Sequence, residues 1–159
     1  MGYYHTAQVC LNGHMINDNV DEHPESNQNF CSKCGAKTIT ACPSCNAKIR
    51  GDYECGVVVI GGLTSVDSYC YNCGAAYPWT EAALQNTTLL IMEEEELSEQ
   101  LKQSIVTSLP DIITETPGTN LATVRIKKCL ASAGRFTADA LRQFVIDFGC
   151  ELAKKSLEL

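Results

Sequence analysis

Eight residues able to ligate a borderline-soft metal ion fall in the first half of the chain as four close pairs. They are Cys10 and His14 in CLNGH, Cys31 and Cys34 in CSKC, Cys42 and Cys45 in CPSC, and Cys70 and Cys73 in CYNC. Thiolate and imidazole close a tetrahedral zinc site of the structural kind, with no coordination position left open. Two pairs complete one such site, so four pairs predict two structural zinc ions. Each Cys-x2-Cys needs a tight turn to bring both sulfurs to one ion, and the glycines after Cys34 and Cys73 permit the positive φ that such turns often require.

The pairs can close in more than one way. Joining neighbours in sequence, Cys10/His14 with Cys31/Cys34 and Cys42/Cys45 with Cys70/Cys73, uses the shortest loops and so the smallest closure entropy. A cross-brace (first pair with third, second with fourth) or a closure of the second pair on the third are the alternatives. With sequential pairing the second site has 24 residues between its pairs, enough for a hairpin, and seven residues separate the two sites. That connection is too short for independent domains on a flexible linker, and it predicts zinc centres side by side. His14 follows Gly13 in a turn close to Cys10. His5, before the turn, and His23, in the polar loop after it, are the other imidazoles that could complete the first site.

Other chemistry finds less support. Cys55, Cys129 and Cys150 have no close partner and read as small apolar side chains. His23-Pro24-Glu25 matches the His-x-Glu of zinc deaminases in form, but the next cysteine pair follows too soon and without the preceding proline. CPSC is accounted for as half of a metal site, and no thioredoxin-like βαβ pattern surrounds it. Paired carboxylates, a nucleophile elbow and a phosphate loop are all missing, so the expectation is a protein that is not an enzyme.

Bulk properties narrow the partners. The chain has 159 residues and a formal charge of −7. One zinc held by three thiolates and an imidazole contributes about −1 and one held by four thiolates about −2, which brings the total to about −10. A phosphate backbone would meet the wrong field, which makes nucleic acid a disfavoured partner. No window reaches the 18 apolar residues of a membrane span, and MGYYHTAQVC has no apolar export stretch. The cytosol follows as the expected compartment, and there paired cysteines signify metal rather than disulfides.

The elements that must position these residues divide near Trp79. Residues 1–79 hold eight of the ten cysteines and eight of the eleven glycines, and read as a double zinc ribbon. YYHTAQV predicts a strand into the first turn, MIN a return strand, Asn17 to Asn29 an exposed polar excursion, and AKTITA another strand. Ile49 and Val57 to Ile60, with Gly61-Gly62 as a turn, predict a three-stranded second ribbon. Pro78 fixes the entry of a first helix and Thr80 is its expected cap, with Trp79 packed at the junction. Residues 80–159 read as a helical domain of about four helices. Helix two is expected over Ser98 to Leu109, ended by Pro110; helix three over Asn120 to Ala133, stopped by Gly134; and a last helix from its cap Thr137 to about Leu157. The run Glu93 to Glu96 reads as a solvated face. In the last helix Leu141, Phe144, Val145, Phe148 and Leu152 form a stripe that must pack on the other helices or on a second copy of the chain.

The order CLNGH, FCSKCG, CPSC with KIRGDY, YCYNCG, YPWTEAAL and TPGTNLATVRIKK resembles a family of uncharacterised bacterial proteins, a domain of unknown function, over nearly the whole chain. The resemblance implies a bacterial cytosolic protein of α+β class, a double zinc ribbon with a helical tail. It implies no activity. Gly13 and His14 depart from an all-cysteine double ribbon at the first turn. The functional expectation is an interaction or adaptor module whose zinc is structural, with self-association through the C-terminal helices. The alternative is binding to nucleic acid or the transcription machinery through Lys33, Lys37, Lys48 and Arg50.

Overall fold

The computed structural model describes residues 1–57 and 65–159, and the chain forms two compact units, Met1–Glu81 and Ala82–Leu159. The architecture is α+β: small antiparallel sheets and cysteine-rich turns come first, and helices follow.

In the first unit, β2 (Gln8–Cys10) lies between β3 (Met15–Asn17) and β4 (Thr38–Ile39). Val9 faces Met15 on one side and Ile39 on the other, so the strand that delivers Cys10 is held on both edges. The N-terminal strand β1 (Tyr3–Thr6) pairs instead with β5 (Arg50–Glu54), with Tyr4 opposite Tyr53 and Thr6 opposite Arg50. The residue after Ile49 is thus committed to the chain's N-terminus, a non-local pairing. Residues 58–64 of the expected three-stranded ribbon, with Gly61-Gly62, lie outside the described residues.

The polar stretch after β3 is only partly an exposed excursion. Asn17 and Asn19 are buried, and the Asn17 amide donates to the His23 carbonyl and to Asn27 Oδ1, both at 2.7 Å. A short 3-10 turn at Pro24–Ser26 follows. The Asp18 carbonyl accepts the Asp52 amide at 2.9 Å, which ties this stretch to β5.

Trp79 is buried beside the first metal turn. Its ring stacks on Tyr77 at 4.6 Å, its indole N–H donates to the Asp67 carbonyl at 2.9 Å, and a Cβ on Gly13 would come within 2.9 Å of its own Cβ. Helix α1 (Pro78–Glu93) starts at the proline itself, because a first-turn residue needs no N–H partner. Thr80, the expected cap, therefore lies inside the helix, and its hydroxyl donates to the Ser68 carbonyl at 2.8 Å.

The second unit comprises the rest of α1 with α2 (Glu99–Ile113), α3 (Thr119–Ser132), α4 (Arg135–Phe148) and α5 (Glu151–Leu157). Its core contains Ile91, Ile105, Leu109, Ile112, Ile126, Leu141 and Val145. Ser98 caps α2, its hydroxyl accepting the Leu101 amide. The helix does not stop at Pro110. Continuing buries Ile112 and Ile113, and burial of two such side chains, about 1.5 to 3 kcal/mol each, is enough to offset an interior proline at about 3 kcal/mol.

The expected single last helix is two. Gly149 ends α4, where the Cys150 amide turns to donate to the Ile112 carbonyl at 2.8 Å. Thr137 is likewise inside α4 rather than at its cap. Leu141, Phe144 and Val145 are buried within this unit, so the stripe is largely used internally.

Candidate metal centres

Three of the four turns share one local construction. In each, the first cysteine N–H donates to a carbonyl five residues on (Cys31 to Ala36, Cys42 to Ala47, Cys70 to Ala75, all 2.8 Å). Its own carbonyl accepts the N–H four residues on, from Gly35, Asn46 and Gly74. That fourth residue is left-handed each time, with φ of 73°, 60° and 73°. Glycine takes this conformation without steric cost and asparagine is among the few other residues that tolerate it, which explains Asn46 in place of a third glycine. A single antiparallel bridge closes each turn: Phe30 with Lys37, Ala41 with Lys48, Tyr69 with Ala76. The Cys10 turn is built differently. Gly13 has φ 87° and donates to the Cys10 carbonyl, and the Cys10 amide donates to the His14 carbonyl.

These turns bring together Cys10, His14, Cys31 and Cys34 in one cluster, and Cys42, Cys45, Cys70 and Cys73 in a second. Within each, the ligand atoms all lie within 4.8 Å of one another. The closer approaches are 3.7 Å for Cys10 Sγ to Cys34 Sγ, 3.8 Å for Cys42 to Cys73 and 3.7 Å for Cys45 to Cys70. His14 presents Nδ1, at 3.5 Å from Cys10 Sγ and 3.6 Å from Cys31 Sγ. A tetrahedron with metal–sulfur bonds of about 2.3 Å and metal–nitrogen bonds of about 2.05 Å has edges of about 3.8 Å (S to S) and about 3.6 Å (S to N). These closer approaches match both edges. A disulfide would instead require sulfurs about 2.05 Å apart, and all ten cysteines are free thiols. The two clusters are geometrically able to hold metal ions and fit a double zinc ribbon.

His5 and His23 are elsewhere: His5 is buried against the Tyr3 ring, and exposed His23 pairs with Glu25 at 3.4 Å. Of the unpaired cysteines, Cys129 is buried, and burial pushes its thiol up to about 11. Cys150 is half-buried and Cys55 is exposed, which corrects the reading of Cys55 as a small core side chain.

Two residues outside the ligand sets act on the sulfurs. The Asn12 amide donates to Cys34 Sγ at 3.3 Å, and the Asn72 amide to Cys45 Sγ at 3.5 Å. Each asparagine sits two residues after the first ligand of its turn and reaches across to the second cysteine of the opposing turn. The two centres are therefore built alike despite the His14 substitution. Such donors favour the thiolate form, which is the ligating form. The Ala36 N–H and then Asn12 draw the Cys34 thiol down to about 6. Asn72 and then the Ala47 N–H lower Cys45. Cys70 is drawn down to about 6 by the Cys73 and Asn72 N–H groups, with desolvation opposing them. At Cys73 the Ala75 N–H pulls downward, but desolvation and the crowding of Cys45, Cys70 and Cys42 outweigh it and push the thiol to about 12. Four sulfurs this close cannot all ionise without a cation among them.

The model of one family, described as an uncharacterized protein conserved in bacteria (DUF2321), matches residues 3–157 of the chain. No curated protein and no solved structure matches it.

Proposed function

We propose that this chain, which belongs to that bacterial family, is a non-enzymatic protein in which two structural zinc ions hold a ribbon surface for docking to another protein in the cytosol. The observation that carries the reading is the closure of both clusters. Each supplies four protein ligands whose ligand atoms all lie within 4.8 Å of one another, so zinc bound by all four has no position for a water or a substrate. Amide donors to Cys34 and Cys45 quiet the thiolates further, as suits a site meant to persist rather than to react. Among the described residues no helix is long and apolar enough to cross a membrane, and free thiols belong in a reducing compartment.

Self-association would use the helical unit. On α3, Leu121 and Val124 lie one turn apart and are both about half exposed, while the α4 stripe is spent internally. The acidic charge of −7 weighs against the nucleic-acid reading.

Elemental analysis of protein purified without added metal tests the foundation, with two zinc ions per chain expected. Fewer than one ion per chain, or the paired sulfurs joined as disulfides, would remove the basis of the proposal. Sedimentation velocity tests the second copy: a concentration-dependent shift abolished by Val124→Lys is expected, and a strict monomer at high concentration argues against self-association.

A further inference from the structure

The β1–β5 sheet carries an aromatic row that neither metal centre needs. The Tyr53 ring lies 4.8 Å from that of Tyr4, the Arg50 guanidinium lies 4.7 Å from the Tyr4 centroid, and it lies 3.9 Å from the Tyr71 centroid. Two rings thus contact the guanidinium, while Tyr4, Tyr53 and Tyr71 remain 50%, 48% and 51% exposed. The cross-strand Tyr4–Tyr53 pair and the cation–π contacts steady the sheet, yet they leave three tyrosines about half exposed beside an arginine.

A guanidinium in contact with rings still carries N–H donors along its edge, where a ligand can approach. No carboxylate among the described residues lies within ion-pair distance of it. Asp67 is electrostatically coupled to it: desolvation raises that carboxyl while Arg50 pulls it the other way. Beside the row is a cleft of about 280 Å³ lined by Tyr4, His5, Thr6, Lys48, Arg50 and Tyr71. Its formal charges are two cations, in a chain of net charge −7.

We propose that this cleft binds a small oxyanion carried on a flat ring, a phosphate monoester or a carboxylate. The edge of Arg50 takes the oxygens in a bidentate manner, Lys48 adds charge, and the tyrosine walls cover the ring. The cleft's small size, and the Asp67 carboxyl coupled to Arg50, set it against long polyanions. The site also depends on the second metal centre for its shape. Tyr71 lies within the CYNC turn, and Lys48 is bridged to Ala41 at the base of the CPSC turn.

Titration of the isotope-labelled, metal-loaded protein with phenyl phosphate, benzoate, inorganic phosphate and neutral benzyl alcohol, followed by backbone amide resonances, tests the site. Saturable shifts at Tyr4, Lys48, Arg50 and Tyr71 are expected for phenyl phosphate or benzoate, with a dissociation constant at or below about 1 mM. Whichever binds tighter identifies the anion. Inorganic phosphate should be weaker and benzyl alcohol inert. Arg50→Lys keeps the charge but loses the fork and the stack, and it should weaken binding about tenfold or more with metal content unchanged. Overturning results are the absence of saturable shifts, equal binding of benzyl alcohol, or unaltered affinity in Arg50→Lys. A short single-stranded oligonucleotide moving the same amides at far lower concentration than phenyl phosphate would also overturn it. The metal content is read separately, so failure here leaves the structural-zinc reading standing.

Discussion

Stripping the metal should unfold the first unit and spare the second. Among the described residues of Met1–Glu81, the buried apolar side chains that are not ligands are Ala7, Val9, Ile49, Tyr77 and Trp79. At about 1.5 to 3 kcal/mol for each of the larger ones, they supply on the order of 10 kcal/mol before any ordering cost. A folded domain typically retains only about 5 to 15 kcal/mol of net stability, and a structural zinc site contributes on the order of 10 kcal/mol or more of apparent folding free energy. Loss of one ion should therefore bring the unit close to its unfolding threshold, and loss of both should carry it across. Trp79, the only tryptophan, reports on this unit: it is 3% exposed, stacked on Tyr77 and packed at Gly13 of the first turn. Helices α2 to α5 lie wholly within Ala82–Leu159. A strong chelator with a colorimetric count of released ions should shift Trp79 emission to the red as the ions leave, while most helical ellipticity at about 222 nm persists, because α2 to α5 keep a buried apolar core of their own. Unchanged Trp79 emission after both ions are released would refute the claim that metal replaces a core. Joint collapse of emission and ellipticity would refute the independence of the helical unit.

Three further outcomes follow from single contacts. Asn12→Ala and Asn72→Ala each remove an amide donor to a ligand sulfur, and each should weaken metal retention about 10- to 100-fold against a competing chelator, with both centres affected to a similar degree. In Gly51→Ala the new Cβ would lie 1.9 Å from the Asp18 carbonyl oxygen, a backbone atom, so the loop must move off β5. A loss of about 1 to 3 kcal/mol or more is expected in denaturant melts followed by Trp79. Glu94 accepts from Thr137 and from the Glu96 and Gly134 amides, contacts that hold its carboxyl below the usual range, the Thr137 hydroxyl contributing most. A depressed folded-state pKa stabilises above the ordinary carboxylate value and is lost as pH falls through the depressed one. Acid should therefore lower the urea midpoint of the helical transition, and Glu94→Gln should lower it at neutral pH and flatten the acid response.

How far the sequence can be read follows from the range of each interaction. The metal turns are legible because thiol pairing, spacing and the residue in the left-handed position all act within five residues. The asparagines that serve the sulfurs escape such a reading, although the repeated pattern of a ligand, one residue, then asparagine in CLN and CYN is visible in both turns. Their acceptors lie 22 and 27 residues away in sequence, and only closure of the turns joins them. The same holds for Glu94, read as part of a solvated acidic face: its partner amide at Gly134 is 40 residues away. The helix ends moved where tertiary burial outweighed local propensity, at Pro110, and where a long-range hydrogen bond intervened, at Cys150 to Ile112.

The pairing of β1 with β5 is the step that matters most for what the ribbon surface can do. Hydrophobic alternation could not foretell it, because β5 reads Arg-Gly-Asp-Tyr-Glu and buries only Gly51 fully. A strand this polar is held by backbone bonding and by close approach at Gly51, not by apolar patterning. Its side chains are thereby released from core duty, and that is how Arg50 and Tyr53 come to stand beside Tyr4 on the surface. An ordinary small β unit would need such positions for its interior. On the proposed reading, zinc held by the clusters at Cys10 and Cys42 would do the work of an interior and leave the polar strand free to present a charged, aromatic surface.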